Sequence, residues 1–227
     1  MDLKDIAGSL REMLDGTNKV REEALQVSRE VIRLSANSIR ASHREEFDEA
    51  CELKSQARKK VDETRQMLRD KREIYYTGYV QDAQKEYAES ELTYAIIREM
   101  PFPPQSELGV EAPAYLNGLA EAIGESRRHV LDVMRKGDME RAERILTIMD
   151  DVYYILITFD YPDAVTQGLR RQTDMVRGVL ERTRGDLTIL QEQHRLEDQQ
   201  RKLQESIESA VRQMANEPGH PGAQKSN

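Results

Sequence analysis

The sequence predicts an all-α protein of about seven helices, and three observations support this fold class. Good helix formers (Ala, Leu, Glu, Lys, Arg and Gln) dominate the composition, whereas aromatic residues make up 5% and Trp is absent. Apolar residues recur at helical spacing along almost the whole chain, and no segment shows the alternation typical of a strand. Proline and glycine lie where the periodic segments end. One domain with a real core accounts for most of the 227 residues.

The first half of the chain predicts four helices. The turn-forming tetrapeptide Asp15-Gly16-Thr17-Asn18 ends a short first helix and opens a second, which either Thr17 or Asn18 can cap. A third helix follows His43. The fourth covers residues 71–99 and ends at residues 101–104, where three prolines lack the N–H group that a helix needs.

The second half predicts three more helices. The fifth starts near Pro113, because proline is accepted in a first helical turn. Gly137 ends it, and Asp138 is a natural N-cap for the sixth helix, residues 139–159, which is the most apolar of the chain. The seventh begins near Ala164 and carries leucine and valine residues at roughly heptad spacing.

Composition also predicts the domain organisation. Residues 1–190 form one α-helical domain, and residues 191–215 form a polar helical extension with few apolar positions. Residues 216–227 contain two prolines and two glycines and are expected to be a disordered tail.

The cysteine content and hydropathy exclude several classes of protein. Cys51 is the only cysteine, so an internal disulfide framework is excluded and a reducing compartment is expected. We expect no signal peptide, because no charged N-terminal segment is followed by an apolar one. No apolar run approaches the ~18 residues needed to cross a bilayer. These features predict a soluble, cytoplasmic protein that does not bind membranes.

The charge distribution allows a local nucleic-acid surface. A net charge of −8 argues against a protein that coats duplexes indiscriminately, because such binding needs excess cationic charge. Basic residues are nevertheless concentrated in two groups, and the alternative for each is a solvated helix face. The first group is Arg58, Lys59, Lys60, Arg65, Arg69, Lys71 and Arg72, and the second is Arg170, Arg171, Arg177, Arg182 and Arg184.

The chemistry that the sequence allows is that of carboxylates. Glycine-rich phosphate loops, serine-nucleophile elbows and C-x-x-C pairs are absent, and no histidine of residues 1–215 follows a glutamate by three residues, so a zinc or iron site is not expected. Glu86 and Glu89 are spaced i,i+3 on the fourth helix, and Glu121 and Glu125 are spaced i,i+4 on the fifth. Two such pairs suit a hard divalent cation, Mg²⁺ or Mn²⁺, that activates water for attack on a phosphate. The alternative is again a solvated acidic surface. The small residue Gly118 would let a substrate or another chain come close.

Two segments around these glutamates resemble the translin family, in particular its translin-associated factor X (Trax) branch. Residues 84–89, Q-K-E-Y-A-E, resemble the Q-E-Y-x-E-A motif, and residues 115–125, Y-L-N-G-L-A-E-A-I-G-E, resemble Y-L-x-G-x-x-D-x-x-G-E. The similarity runs collinearly over roughly residues 5–190. Glu121 stands where the family more often has Asp. Lys85 stands where it often has Gln, and we expect that exchange to have little effect.

The resemblance implies a seven-helix protomer, closed hollow oligomers, binding of RNA or single-stranded DNA, and metal-dependent endoribonuclease activity. By position it makes Glu86, Glu89, Glu121 and Glu125 the catalytic, metal-binding set. The favoured hypothesis is therefore a Mg²⁺-dependent endoribonuclease that cuts single-stranded or short structured RNA inside a homo-oligomer. The alternatives are an RNA- or single-stranded-DNA-binding oligomer without cleavage, and a helical scaffold that binds partners through its last helix.

Overall fold

The computed structural model describes residues 2–216, and these form helices without a strand among them, so the all-α fold class is confirmed. Side chains are described as far as residue 213. The helices of this part of the chain are α1 (Leu3–His43), α2 (Phe47–Met67), α3 (Arg72–Tyr75), α4 (Gly78–Ile97), α5 (Gln105–Leu108), α6 (Ala112–Arg135), α7 (Met139–Leu156), α8 (Asp163–Thr166) and α9 (Leu169–Asn216).

The N-terminal helix is continuous where the sequence predicted a break. α1 runs through Gly16 and Thr17, and the Thr17 hydroxyl donates to the Met13 carbonyl oxygen at 3.0 Å within the helix instead of capping a new one. Helix propagation is cooperative, so the cost of about 1 kcal/mol for one exposed glycine does not interrupt a helix with good formers on both sides.

Two predicted helices are divided by short turns. The segment predicted over residues 71–99 separates into α3 and α4, because Thr77 adopts an extended conformation and the Gln81 side chain donates to the Tyr75 carbonyl oxygen at 2.9 Å. The last predicted helix likewise separates into α8 and α9. Gln167 and Gly168 have φ angles of 53° and 87° there, a left-handed pair that ends α8.

The predicted helix-start and helix-end signals of α6 and α7 are confirmed. Pro113 lies in the first turn of α6, and Gly137 follows that helix with a φ of 82°. The side chain of Asp138 accepts a hydrogen bond from the backbone N–H of Arg141 at 3.0 Å and so caps α7. These local contacts fix the positions at which both helices begin.

α4 lies in the middle of the helical layers. α1 packs against α2 and α4, α4 packs against α6, and α6 packs against α7. Buried residues occur on every side of α4, from Val80 to Ile97, so this helix has no wide polar face. A helix of this kind is surrounded by others, and Glu86 and Glu89 are accordingly half-buried and buried.

Gly118 allows the close approach of α6 to α4. A Cβ atom at this position would lie 2.8 Å from the carbonyl oxygen of Lys85 and 2.9 Å from the backbone nitrogen of Glu89. The expectation that Gly118 leaves room for a substrate is therefore wrong. The backbone of α4 occupies the space that a side chain at Gly118 would need. This close contact brings the glutamates of the two helices together.

The chain divides into two compact units, residues 1–184 and 185–227, and the division falls inside α9. In the second unit α9 is polar and largely exposed, with Leu196 and Leu203 54% and 62% exposed. The predicted boundary at residue 190 stays a prediction. Of the predicted tail, only Asn216, the last residue of α9, lies within the described residues. No helix of the described residues has the length and apolar character needed to cross a membrane.

Candidate metal centre

α4 and α6 bring three of the four predicted glutamates together. Glu86, Glu89 and Glu121 each offer a carboxylate oxygen, and these oxygens all lie within 4.8 Å of one another. The i,i+3 spacing places the first two on one side of α4, and the contact at Gly118 sets the third opposite them. The grouping is thus produced by helix geometry and by one glycine.

Glu89 is the most unusual group of the cluster. Its side chain is 9% exposed, and no side chain of the described residues donates a hydrogen bond to it. Burial, together with the charges of Glu86, Glu121 and Glu125, raises the pKa of Glu89 to about 8. A buried carboxylate ion without a partner is energetically unfavourable. Such a group favours the binding of a cation or a proton.

The neighbouring Glu86 is affected by the same surroundings. Burial raises the pKa of Glu86, and the charge of Glu121 adds to that effect, although Lys85 opposes it. Two of the three carboxylates are therefore less acidic than usual, because like charges converge in a partly water-excluded space.

Lys85 is part of this site. Its ammonium nitrogen lies 2.9 Å from a carboxylate oxygen of Glu121 and 3.4 Å from one of Glu86. Burial disfavours the charged amine, but the hydrogen bond and charge of Glu121 outweigh it and raise the pKa of Lys85. The resemblance predicts little effect of lysine at this position, yet its ammonium group lies between two candidate metal ligands.

Glu125 is held apart from the other three carboxylates by a histidine. The His43 ring nitrogen Nε2 lies 2.6 Å from Glu125 Oε2, and the imidazole is almost completely buried. This hydrogen bond lowers the pKa of Glu125, so the carboxylate is the acceptor and Nε2–H the donor. The ring of His129 lies 6.4 Å behind that of His43. Sequence reasoning missed this contact because the two partners are 82 residues apart.

Glu121 has a second donor on α9. The side-chain amide of Gln172 donates to Glu121 Oε1 at 2.9 Å, on the same oxygen that Lys85 contacts. Gln172 belongs to a segment with family resemblance, but its spacing alone carries no signal for a contact with α6.

The carboxylates line a cleft of about 520 Å³. Glu89, Glu121 and Glu125 contribute to its wall, as do Asp174 and Arg182 of α9. The cleft is therefore acidic, with one guanidinium group at its edge from the second basic group of the sequence. A cleft of this composition attracts cations and leaves space beside them for a larger ligand.

The donor set fits a hard divalent cation. Three carboxylates from two helices, without a thiolate or an imidazole among the grouped oxygens, suit Mg²⁺ or Mn²⁺. A dication here would relieve the mutual repulsion of the glutamates, and it would compete with the proton on Glu89 and with Lys85 for Glu121. Glu125 lines the same cleft. Its carboxylate could join the set through its second oxygen while Oε2 keeps the hydrogen bond to His43.

Comparison with known proteins identifies the family of the chain. No family model matches. The uncharacterized protein MJ0175 of Methanocaldococcus jannaschii is 33% identical over 196 residues, which are 84% of this chain and 85% of that protein. AfC3PO from Archaeoglobus is 33% identical to this chain, and the similarity covers 82% of this chain and 96% of that one. The TM-score is 0.76 for the structure of AfC3PO alone and 0.75 for its complex with duplex RNA. This chain belongs to the translin family.

The predicted relationship to Trax-like members of the translin family is thereby confirmed. A C3PO structure from Nematostella, apo-NeC3PO, shares the fold at a TM-score of 0.74 and 22% identity, covering 81% of this chain and 96% of that one. The translin fold thus accounts for the helical layers that bring α4 and α6 together.

Proposed function

We propose that this translin-family chain is a metal-dependent endoribonuclease that acts on RNA within a hollow homo-oligomer. The observation that carries the proposal is Glu89: a carboxylate 9% exposed, without a hydrogen-bond donor in the described part of the chain, facing two further carboxylates. A cation bound between the three carboxylates would give Glu89 the partner that it lacks.

Each glutamate has a distinct part in this proposal. Glu86, Glu89 and Glu121 would hold Mg²⁺ or Mn²⁺ through the oxygens that converge between α4 and α6. Glu125, oriented by His43, would complete the set or accept a proton beside it. When bound, such a cation supplies an activated water and stabilises the charge that develops on an attacked phosphodiester. Lys85 would be released from Glu121 and left next to the same phosphate.

The proposed substrate is RNA, single-stranded or in short structured and duplex forms. AfC3PO, at 33% identity, has been determined in complex with duplex RNA. The cleft beside the carboxylates has room for a ligand larger than an ion, and Arg182 at its edge could contact a backbone phosphate. We also propose single-stranded DNA as a ligand, a closed assembly of identical subunits, and a cytoplasmic location.

A second candidate function is RNA binding without cleavage, and Lys85 favours it. Its ammonium group already neutralises Glu121 and Glu86, which weakens the attraction for a dication. Under this alternative the acidic cluster is an internal ion pair, and nucleic acid is bound by arginines alone.

Cleavage of a labelled single-stranded RNA separates these functions. We would compare the wild-type protein, Glu89→Gln and the control Glu140→Gln, whose carboxylate is 89% exposed on α7. Each is incubated with Mg²⁺, with Mn²⁺ or with EDTA, and RNA binding is measured separately in EDTA. The nuclease proposal expects metal-dependent cutting by wild type and Glu140→Gln, and binding without cutting by Glu89→Gln. If wild type binds RNA but cuts with neither metal, the protein is a binding oligomer.

A further inference from the structure

Three arginines without carboxylate partners surround a second pocket, formed where α2 ends, at α3 and at the loop before α6. The pocket has a volume of about 210 Å³ and is lined by Arg65, Leu68, Arg69, Arg72, Tyr75, Tyr76 and Glu111. None of these residues lines the cleft of the candidate metal centre. Arg65, Arg69 and Arg72 belong to the first basic group of the sequence, to which the proposed nuclease chemistry gives no role.

Several arginines of the chain form ion pairs, but those of the pocket form none within the described residues. Arg58, Arg141 and Arg144 each contact a carboxylate. In contrast, no carboxylate of residues 2–213 forms an ion pair with any of the three arginines of the pocket. The negative end of α2 offsets only about half a charge. Three guanidinium groups and one carboxylate, that of Glu111, line the same pocket, so its lining carries a net positive charge that favours an anionic ligand.

The wall of the pocket is held by specific contacts. The Tyr75 hydroxyl donates to Glu111 Oε1 at 3.0 Å, and the backbone N–H of Glu111 donates to the buried Gln84 side chain at 2.7 Å. Gly109 has a φ of 67°, and a Cβ atom there would lie 3.2 Å from Arg65 Nη1. The glycine therefore allows the guanidinium group to lie against the loop.

An exposed aromatic ring lies beside these charges. Tyr76 is 50% exposed, and the Arg72 guanidinium carbon lies 5.7 Å from its ring centroid. Tyr75 contacts Tyr76 edge to face, with centroids 5.1 Å apart, and so limits its movement. An exposed tyrosine ring next to guanidinium groups is suited to stacking a nucleobase. The Glu111 carboxylate can accept a hydrogen bond from a base amino group.

We propose that this pocket is a nucleotide subsite, in which Arg65, Arg69 and Arg72 bind a phosphate of RNA and Tyr76 stacks the adjoining base. The inference rests on the RNA binding of the proposed function, but not on cleavage. The phosphate is either the monoester at a 5′ end or a diester within the strand. Both offer the same anionic oxygens to the guanidinium groups.

The test is the affinity of the full chain for two fluorescent single-stranded RNAs, identical except for a 5′-phosphate or a 5′-hydroxyl, measured by anisotropy in EDTA at several salt concentrations. The variants are Arg65→Gln/Arg69→Gln and, separately, Tyr76→Leu. The control is Arg195→Gln/Arg201→Gln on α9, which changes the net charge equally, and whose arginines already pair with Glu192 and Asp198. Thermal melts verify that every variant is folded.

We expect both pocket variants to weaken binding about tenfold while the control matches wild type. The arginine variant should also lower the slope of log Kd against log salt by about 0.7 per lost phosphate contact. A 5′-phosphate preference that disappears in the arginine variant identifies the chain end as the ligand, and equal weakening of both RNAs identifies an internal phosphate. Wild-type affinity and salt slope in both pocket variants overturn the inference, as does a wild-type protein that binds neither RNA. Loss of cleavage alone overturns only the nuclease proposal.

Discussion

The ammonium nitrogen of Lys85 lies 2.9 Å from a carboxylate oxygen of Glu121, between the two helices that carry the candidate metal ligands. A second glutamate, Glu86, lies 3.4 Å from the same nitrogen. The chain thus contains its own cation at the place where a divalent ion would bind. In the proposed function this internal ion pair would set the metal affinity of the site, because a dication would have to replace it.

Replacement of Lys85 by glutamine should raise the affinity for Mn²⁺ by about tenfold, an effect of about 1.4 kcal/mol. The physical reason is that Glu121 and Glu86 lose the ammonium group that pairs with them, so the cluster attracts the dication more strongly. Isothermal titration calorimetry measures the effect, with Lys60→Gln on α2 as the control. Equal Mn²⁺ affinity in wild type and Lys85→Gln would show that the ammonium group does not compete with the metal.

The stability of the metal-free protein should fall as the pH rises from about 5 to 9. Burial, with three neighbouring carboxylates, raises the pKa of Glu89 to about 8, so the folded state holds this proton more strongly than the unfolded state. Its contribution is complete below the ordinary pKa of a glutamate and is lost as the pH passes 8. The rise of the pKa from 4.5 to about 8 corresponds to a loss on the order of 5 kcal/mol, since one pKa unit corresponds to about 1.4 kcal/mol.

Urea unfolding in EDTA at several pH values measures this dependence. The difference between wild type and Glu89→Gln isolates the contribution of this residue, because Glu86 shifts in the same direction and remains in both proteins. Saturating Mg²⁺ should flatten the wild-type profile. Parallel profiles for the two proteins in EDTA would contradict the raised pKa.

His43 is expected to position Glu125 for metal binding. Its hydrogen bond to Glu125 Oε2 is 2.6 Å long, and the other ring nitrogen, Nδ1, is buried without a partner among the described residues. His43→Phe keeps most of the ring volume but removes the donor. We expect Mn²⁺ affinity to fall by about tenfold, as for other residues that orient a ligand, with little change in the free energy of unfolding. His194→Phe on α9 is the control, and unchanged Mn²⁺ affinity in His43→Phe would refute the positioning role.

Gly118→Ala should separate α6 from α4. The added methyl group would meet two backbone atoms of α4 within 3.0 Å, and backbone yields less readily than a side chain. We expect a loss of about 1–3 kcal/mol in the free energy of unfolding, together with weaker metal binding. The matched control is Gly16→Ala in α1, where nothing lies within 4 Å. That exchange should stabilise the helix by about 0.5–1 kcal/mol, and similar effects of the two substitutions would contradict the close contact.

The sequence predicted those parts of the structure that depend on local signals. The helical spacing of Glu86 and Glu89, the cap at Asp138 and the first-turn Pro113 are properties of neighbouring residues, and they appear where they were expected. The break predicted at Gly16 was wrong, because cooperative helix formation overrides one weak turn signal.

The other features of the site depend on contacts that spacing does not encode. His43 and Glu125 lie 82 residues apart, and Gln172 reaches Glu121 from another helix. The role of Gly118 as a helix–helix contact depends on how α6 packs against α4, and the place of Lys85 depends on the direction of its side chain. Only tertiary packing determines these relationships.

The most direct test of the central claim is the position of a divalent cation in crystals grown with Mn²⁺. Anomalous diffraction at the manganese edge locates the ion independently of any activity. We expect one strong peak bounded by Glu86, Glu89 and Glu121, with the Lys85 ammonium moved away from Glu121. An absence of density there at saturating Mn²⁺, with Lys85 still bonded to Glu121, would contradict the claim that these carboxylates form a metal centre.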